Sequence, residues 1–455
     1  MLLGFFGRTK PSTYEQQAVA KPVKSSPETL RKRQSDRFSV KEVAQHNKRD
    51  DCWLIIEDKV YDVTSFVEKH PGGDILLSHA GMEATDIFDA FHADSTSKML
   101  INYEIGTVTD LQVPANIKAH RELRRKLKKE NMYESNKLFY VYKLLTNLSL
   151  VTASVVLLAL YFDKTKDLND KFNLLIMTAS ALFMALFWQQ CGWLSHDFGH
   201  HQVFKDRKYN NYVVYFLGNV CQGFSLSWWK AKHNLHHAVP NVAGYDPDID
   251  TMPFLAWSDK LLEGELEGLP HFLIKYQYIF YFPLLMAARL SWLIQSILYA
   301  NSRAKERTIE LVTLGLHYLW VGFVCITFVG VTQGLIFFAM SQAITGLLLA
   351  TAFALNHNAM EIIDKDKQPD FSTLQIVTGR DVLPGPFGIW HWYMGGLDMQ
   401  VEHHLFPSVP RHNLRQIQQQ YIPIAKKFGI KYHMTTFWEG TKELFSRLYS
   451  VSSTV

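Results

Sequence analysis

The sequence predicts a multidomain chain: a small α+β domain, then an all-α integral membrane domain with four transmembrane helices and a histidine-rich cytosolic cap. Three observations predict it. Residues 36–110 hold two short strand patterns around a turn, at 53–57 and 59–63, followed by His70-Pro71-Gly72-Gly73. Four apolar stretches, 138–162, 172–194, 309–331 and 333–355, each reach the roughly 20 residues that cross a bilayer. Three histidine clusters lie outside those stretches: His196-Asp197-Phe198-Gly199-His200-His201, His233-Asn234-Leu235-His236-His237 and Gln400-Val401-Glu402-His403-His404.

The composition is consistent with this reading. A chain of 455 residues has room for two or three domains. It is 47% hydrophobic and 13% aromatic, which is rich for a soluble protein. The net charge of +4 is modest, and no long Lys/Arg run alternates with aromatics, so nucleic acid is not an expected partner. The four cysteines, Cys52, Cys191, Cys221 and Cys325, are far apart and form no CxxC, which suits a reducing compartment. The apolar run at 1–7 is too short for a signal-peptide core, and Leu2 excludes myristoylation.

Residues 1–35 are polar with few apolar anchors and are expected to form a flexible tail. Ser39 with Glu42 makes a capping-box start for the first domain. The glycines after His70 end an element and let backbone approach something bulky. A second histidine, His92, follows in Phe88-Asp89-Ala90-Phe91-His92. Spacing alone fits two readings: rings on either side of a haem iron, or a turn histidine plus a core histidine. Residues 36–110 resemble a cytochrome b5 domain, whose His-Pro-Gly-Gly motif is met by His70 to Gly73. The resemblance implies haem b with His70 and His92 as axial ligands, and hence a one-electron carrier.

Residues 111–137 form a basic linker, with eight Lys/Arg against three Glu in 116–137. We read it as a juxtamembrane flank attracted to anionic lipid, rather than as a merely solvated helix face. The membrane domain is expected over 138–455. The stretch 276–300 is apolar but interrupted by Pro283 and Arg289, and is expected to lie in the interface, as is 211–224. Parity supports this. The first two clusters lie between spans two and three, and the third follows span four. An even number of crossings must separate them if they share one site. The basic flank then places the N-terminal domain and all three clusters in the cytosol.

On a helix, residues three and four apart share a face. His196/His200 form one comb and His233/His236/His237 another, while Gln400 stands where a histidine would complete a third with His403 and His404. His357, directly after the fourth span, joins them. Eight imidazoles are too many for one metal ion and suit two. A single catalytic zinc would leave most of them idle, and no HExxH is present. Asp197 and Glu402 are candidates to orient ring nitrogens. Asp246, Asp248 and Asp250 are read first as surface residues, with support of a ligand as the alternative. His201 is read as a neighbour of the site. His46, His79, His120, His271 and His317 lack partner spacing and are read as structural.

With these clusters, Gln222-Gly223-Phe224-Ser225, Trp228-Trp229-Lys230 and His404-Leu405-Phe406-Pro407, nearly the whole chain resembles the front-end fatty-acyl desaturases with a fused cytochrome b5 domain. Gln400 matches that group's marker, and delta-6 enzymes are the most similar. One departure is His391, where the family usually has Asp or Asn. The resemblance implies two iron ions, O2 as co-substrate and a fatty acyl-CoA or phospholipid-bound acyl substrate. It also implies Gln400 as a catalytic residue, NADH-cytochrome b5 reductase as electron donor, and the endoplasmic reticulum membrane. Delta-5 or delta-8 desaturation, sphingoid-base desaturation and hydroxylation fit the same residues. So does a non-enzymatic membrane haem protein with a structural metal site.

Overall fold

The computed structural model describes residues 36–70, 72–166, 168–262 and 264–455. The expected tail at 1–35, and Pro71, lie outside the described residues.

Five strands open the described chain: β1 (Asp36–Phe38), β2 (Asn47–Lys48), β3 (Asp51–Ile56), β4 (Lys59–Asp62) and β5 (Glu104–Val108). They pair in the order β1-β5-β4-β3-β2, with β1 parallel to β5 and the other pairs antiparallel. β3 and β4 are the expected strand pair, with Ile55 opposite Val60 and Leu54 opposite Tyr61. Alternation sends Leu54, Ile56 and Tyr61 to one apolar cluster and Ile55 and Val60 to another, so both faces are covered. The capping box is present, with Ser39 Oγ accepting from the Glu42 N–H and Glu42 Oε2 accepting from the Ser39 N–H. Helix α1 (Thr85–Phe91) closes over the sheet.

The basic linker is a helix, α2 (Ala115–Lys129). Ile117, His120, Leu123 and Leu127 recur at helical spacing and are buried. Two of its cations contact the N-terminal domain. Arg121 pairs with Asp86 and Glu83, and Arg124 with Asp89.

Five described helices are long and apolar enough to cross a membrane, by length and composition. They are α3 (Lys137–Tyr161), α4 (Lys171–Gly199), α6 (Gln277–Ser302), α7 (Arg307–Val324, with a π-helical end to Val329) and α8 (Val331–His357). Between α4 and α6, α5 (Leu226–Ala238) carries the second histidine cluster. Tyr140, Asn147 and Ser154, seven apart, form the buried seam of α3. The Ser154 and Ser180 hydroxyls meet at 2.9 Å across that seam, where small polar residues let helices approach. Leu138, Val141, Leu145 and Leu148 point outward.

The expected break at 276–300 is corrected. α6 is continuous, because Pro283 falls early in the helix and removes one backbone donor rather than the whole ladder. Arg289 is tolerated because it is buried with partners: Gln342, the Gln222 carbonyl and the Trp188 ring, 3.9 Å from the guanidinium carbon. The count by length and composition is therefore five, against the four expected.

Two hairpins, α3–α4 and α7–α8, bring their tips together. Lys164 Nζ donates to the Thr327 carbonyl at 2.8 Å, and Gln333 Nε2 to the Lys166 carbonyl at 2.9 Å. His196 and His357 lie at the opposite, open end. α6 crosses α8 near its middle, where a Cβ on Gly346 would come within 2.4 Å of the Leu285 carbonyl.

Candidate metal centre

Each histidine reaches the site from a helix end. His196 and His200 close α4, and His357 closes α8. α5 starts at Ser225, whose side chain accepts from the Trp228 N–H. The third cluster sits on α9 (Gln400–Leu405), after two glycines in the left-handed region. At Gly395 (φ 62°) a Cβ would come within 2.2 Å of the Trp193 ring, so a side chain is excluded there.

The eight imidazoles, all buried, divide into two groups. His196, His200, His233, His237 and His403 form one, and His236, His357 and His404 the other. In the larger group Nε2–Nε2 separations are 2.9 Å (His200–His233), 3.0 Å (His233–His237) and 3.1 Å (His237–His403). In the smaller group they are 3.3 Å (His236–His357) and 3.1 Å (His357–His404). Ligands about 2 Å from a common ion stand about 3 Å from one another, so both groups fit a metal.

Hydrogen bonds fix the smaller group. His357 Nδ1 lies 2.9 Å from the Thr378 carbonyl, which only accepts, so Nδ1 carries the proton and Nε2 offers a lone pair. His404 Nδ1 faces Gln375 Oε1 at 2.9 Å, and Gln375 is oriented by donating to the His237 carbonyl. His236 Nδ1 lies 3.0 Å from Asp246. Three Nε2 atoms thus converge, as ligands of one cation would. Gln400 lies beside this group: its Nε2 donates to His357 Nε2 at 2.8 Å and its Oε1 accepts from Asn356.

Burial holds His233, His237 and His404 well below the usual imidazole range, and His403 down to about 3, leaving them neutral as ligands must be. Burial also opposes charge on His236, but Asp246 and Asp248 outweigh it and lift that group to about 9. This corner favours positive charge.

Three sequence expectations change. Asp246 is buried rather than at the surface. It accepts from the Asn241 and Asp248 N–H groups while facing His236. Asp197 pairs with Arg411 at 2.6 Å and lies 3.8 Å from His196 Nδ1, too far to orient it. Glu402 accepts from the Tyr432 hydroxyl at 2.6 Å and bonds no ring nitrogen. His201 is outside both groups, beside Lys230. His391 bonds the buried Asp398, two residues before Gln400. Sequence reasoning missed Gln375 and Thr378, because their contacts span tens of residues. Trp229, named there only as part of a motif, stacks 4.6 Å from His233.

In the N-terminal domain the His70 and His92 rings stand 6.0 Å apart, centre to centre. Two imidazoles on opposite sides of one iron stand about 6 Å apart, so the residues fit a haem. His92 Nδ1 faces the Phe88 carbonyl at 3.0 Å, leaving Nε2 for a metal. A Cβ on Gly72 would come within 2.9 Å of His70, so glycine keeps that ring's space open.

Comparison with known proteins agrees with this geometry. The fatty acid desaturase family matches residues 173–436, and the cytochrome b5-like heme/steroid binding domain matches residues 39–109. The chain is 40% identical to an acyl-lipid (9-3)-desaturase of Physcomitrium patens, over 90% of this chain and 77% of that one. It is 31% identical to a delta(5) fatty acid desaturase of Caenorhabditis elegans, over 86% and 92% of the two chains. A delta(6)-fatty-acid desaturase of the same organism is 30% identical, over 86% and 93%. The chain belongs to the fatty acid desaturase family, among the front-end members that carry a cytochrome b5 domain at their N-terminal side.

Proposed function

We propose that this chain inserts a cis double bond at carbon 6 of a polyunsaturated acyl chain, between an existing double bond and the carboxyl end. The observation that carries the reading is the convergence of eight imidazoles and Gln400 into two ligand groups at one end of apolar helices. The relatives named for (9-3) and delta(6) desaturation support carbon 6, while the delta(5) relative at 31% identity keeps carbon 5 as the competing outcome. In this reading His196, His200, His233, His237 and His403 hold one iron, and His236, His357 and His404 the other. Gln400 would stand beside the second ion, donating from Nε2 toward His357 while Asn356 holds its Oε1. The two irons supply dioxygen activation. The chain's own residues bury the rings, face His236 with Asp246, keep water out and seat one methylene pair of linoleic or alpha-linolenic chains against the site.

His70 and His92 hold haem b, which receives electrons from NADH-cytochrome b5 reductase. The division into a haem domain at 36–110, a linker at 111–137 and a desaturase domain at 138–455 belongs to this reading. So does placement in the endoplasmic reticulum with the clusters facing the cytosol. Four helices cross, in two hairpins, and α6 dips without crossing. In support, Leu285 of α6 packs with Ala354 near the histidine end of α8, and Ser296 Oγ accepts from the Ser225 N–H beside α5. Expression in yeast fed linoleic acid, with chromatography of the methyl esters, tests the function. An 18:3 product unsaturated at carbon 6 is expected. A new bond at another carbon overturns the regiochemistry, and a hydroxylated product overturns desaturation.

A further inference from the structure

The haem domain is fastened to the desaturase domain along one seam, and that seam runs past the histidines. Arg121 of α2 donates from Nε to Asp86 at 3.0 Å, and from Nη2 to Asp86 at 2.8 Å and Glu83 at 3.0 Å. Asp86 is buried and Arg121 largely so, which makes the fork stronger than an exposed pair. Arg124 pairs with Asp89 and donates to its carbonyl at 2.6 Å. From the desaturase side, Arg207 Nη2 donates to the Phe91 carbonyl at 2.8 Å. Between these polar fasteners lies shared apolar packing: Ala238 at the end of α5, with Val239 and Val242 after it, joins Leu54, Val67 and Ile87 of the haem domain in one cluster.

Asp86, Ile87, Asp89 and Phe91 of this seam all lie on α1, and α1 ends at Phe91, directly before His92. The Phe91 ring meets the His237 ring edge-on, centres 6.1 Å apart at 87°. His237 in turn stacks on His404 at 3.9 Å and 11°, while its Nε2 faces His233 and His403. His237 therefore touches both ligand groups and Phe91, which directly precedes His92.

We propose that Arg121 and Arg124 are positioning residues that hold the haem domain in an electron-transfer dock, and that Phe91 and His237 are the contact through which electrons enter the metal centre. In each event one ferrous haem iron becomes ferric and one ion of the metal centre gains that electron. No bond is made or broken, so two events deliver the pair that desaturation consumes. The transfer is within one chain, because both sides of the dock belong to it. The acidic residues of α1 are engaged by the chain's own arginines, so the reductase meets the haem domain on another face.

The inference rests on the haem and metal readings above, so haem absorbance and iron content are measured first in each variant. The dock is read only in variants that keep both, and absence of haem or iron from the parent chain overturns those readings rather than the dock. The full-length holoenzyme, with its haem reduced under anaerobic conditions, is then mixed with oxygenated buffer and acyl substrate, and the ferrous haem band is followed. In the parent chain its decay rate is expected to be independent of enzyme concentration. Arg121→Glu/Arg124→Glu is expected to slow it at least about tenfold, with reduction of the haem by the reductase unchanged. Adding Asp86→Arg/Asp89→Arg restores the rate by reversing both pairs. Phe91→Leu slows it with the haem spectrum intact. If the glutamate pair does not fold, Arg121→Gln/Arg124→Gln makes the same test. A decay rate proportional to enzyme concentration, or unchanged in the arginine variants, overturns the dock. An unchanged rate in Phe91→Leu overturns the contact through its ring.

Discussion

In the three-imidazole group every Nδ1 faces an acceptor, at Asp246, the Thr378 carbonyl and Gln375. In the five-imidazole group His237 Nδ1 has no hydrogen-bond partner among the described residues, and His196 Nδ1 is 3.8 Å from Asp197. Ring packing orients that group instead. Trp229 stacks on His233 and stands edge-on to His196 and His200, at 5.7 and 5.4 Å. A hydrogen bond fixes a tautomer and a direction, whereas packing fixes a position and leaves the ring freer to turn. One group thus relies on few strictly aimed ligands with Gln400 at a further corner, the other on the number of its ligands.

Breaking the strict group has the largest expected effect. His236→Ala removes one of three ligands and is expected to abolish product formation and lower iron from two ions toward one. The same loss in the five-member group, His200→Ala, leaves four imidazoles and is expected to retain more iron. Equal losses measured by metal analysis would erase the distinction. Asp246→Asn keeps the shape but removes the charge behind His236, and is expected to cost about 10–100-fold in metal affinity or turnover. Competition with a chelator reads it. Gln400→His adds a fourth imidazole to the strict group. It is expected to tighten iron retention and lower turnover, by about tenfold for a blocked position. Unchanged turnover would show that this corner is not used. The smallest effect probes the packed group: a Cβ on Gly199 would come within 2.2 Å of the Trp229 ring. Gly199→Ala is expected to cost about 1–3 kcal/mol in thermal unfolding as Trp229 shifts, with chelator resistance of the three-imidazole group unchanged.

Much of this was legible in the residues. The strand pair at 53–63, the capping box at Ser39 and the hairpin helices follow from period, caps and length, which are local properties. Pro283 and Arg289 look like breaks in isolation, yet α6 is continuous. Only the packing partners Gln342, Gln222 and Trp188 make the arginine tolerable. Asp246 looked like one of three loop carboxylates until the fold buried it against His236, ten residues back.

By itself the sequence determined which side chains sit on which helix face, and so which imidazoles can act together. It also determined that those faces lie at the ends of apolar helices. The tertiary structure alone decided how eight imidazoles divide into five and three. That division depends on where α4, α5, α8 and α9 end relative to one another. His236 and His237 are adjacent in the chain yet point to different groups, because successive residues on a helix are turned by about 100°. It alone also set Phe91 against His237. Contacts across more than a hundred residues are fixed by packing and ion pairs between elements, and no local pattern encodes them.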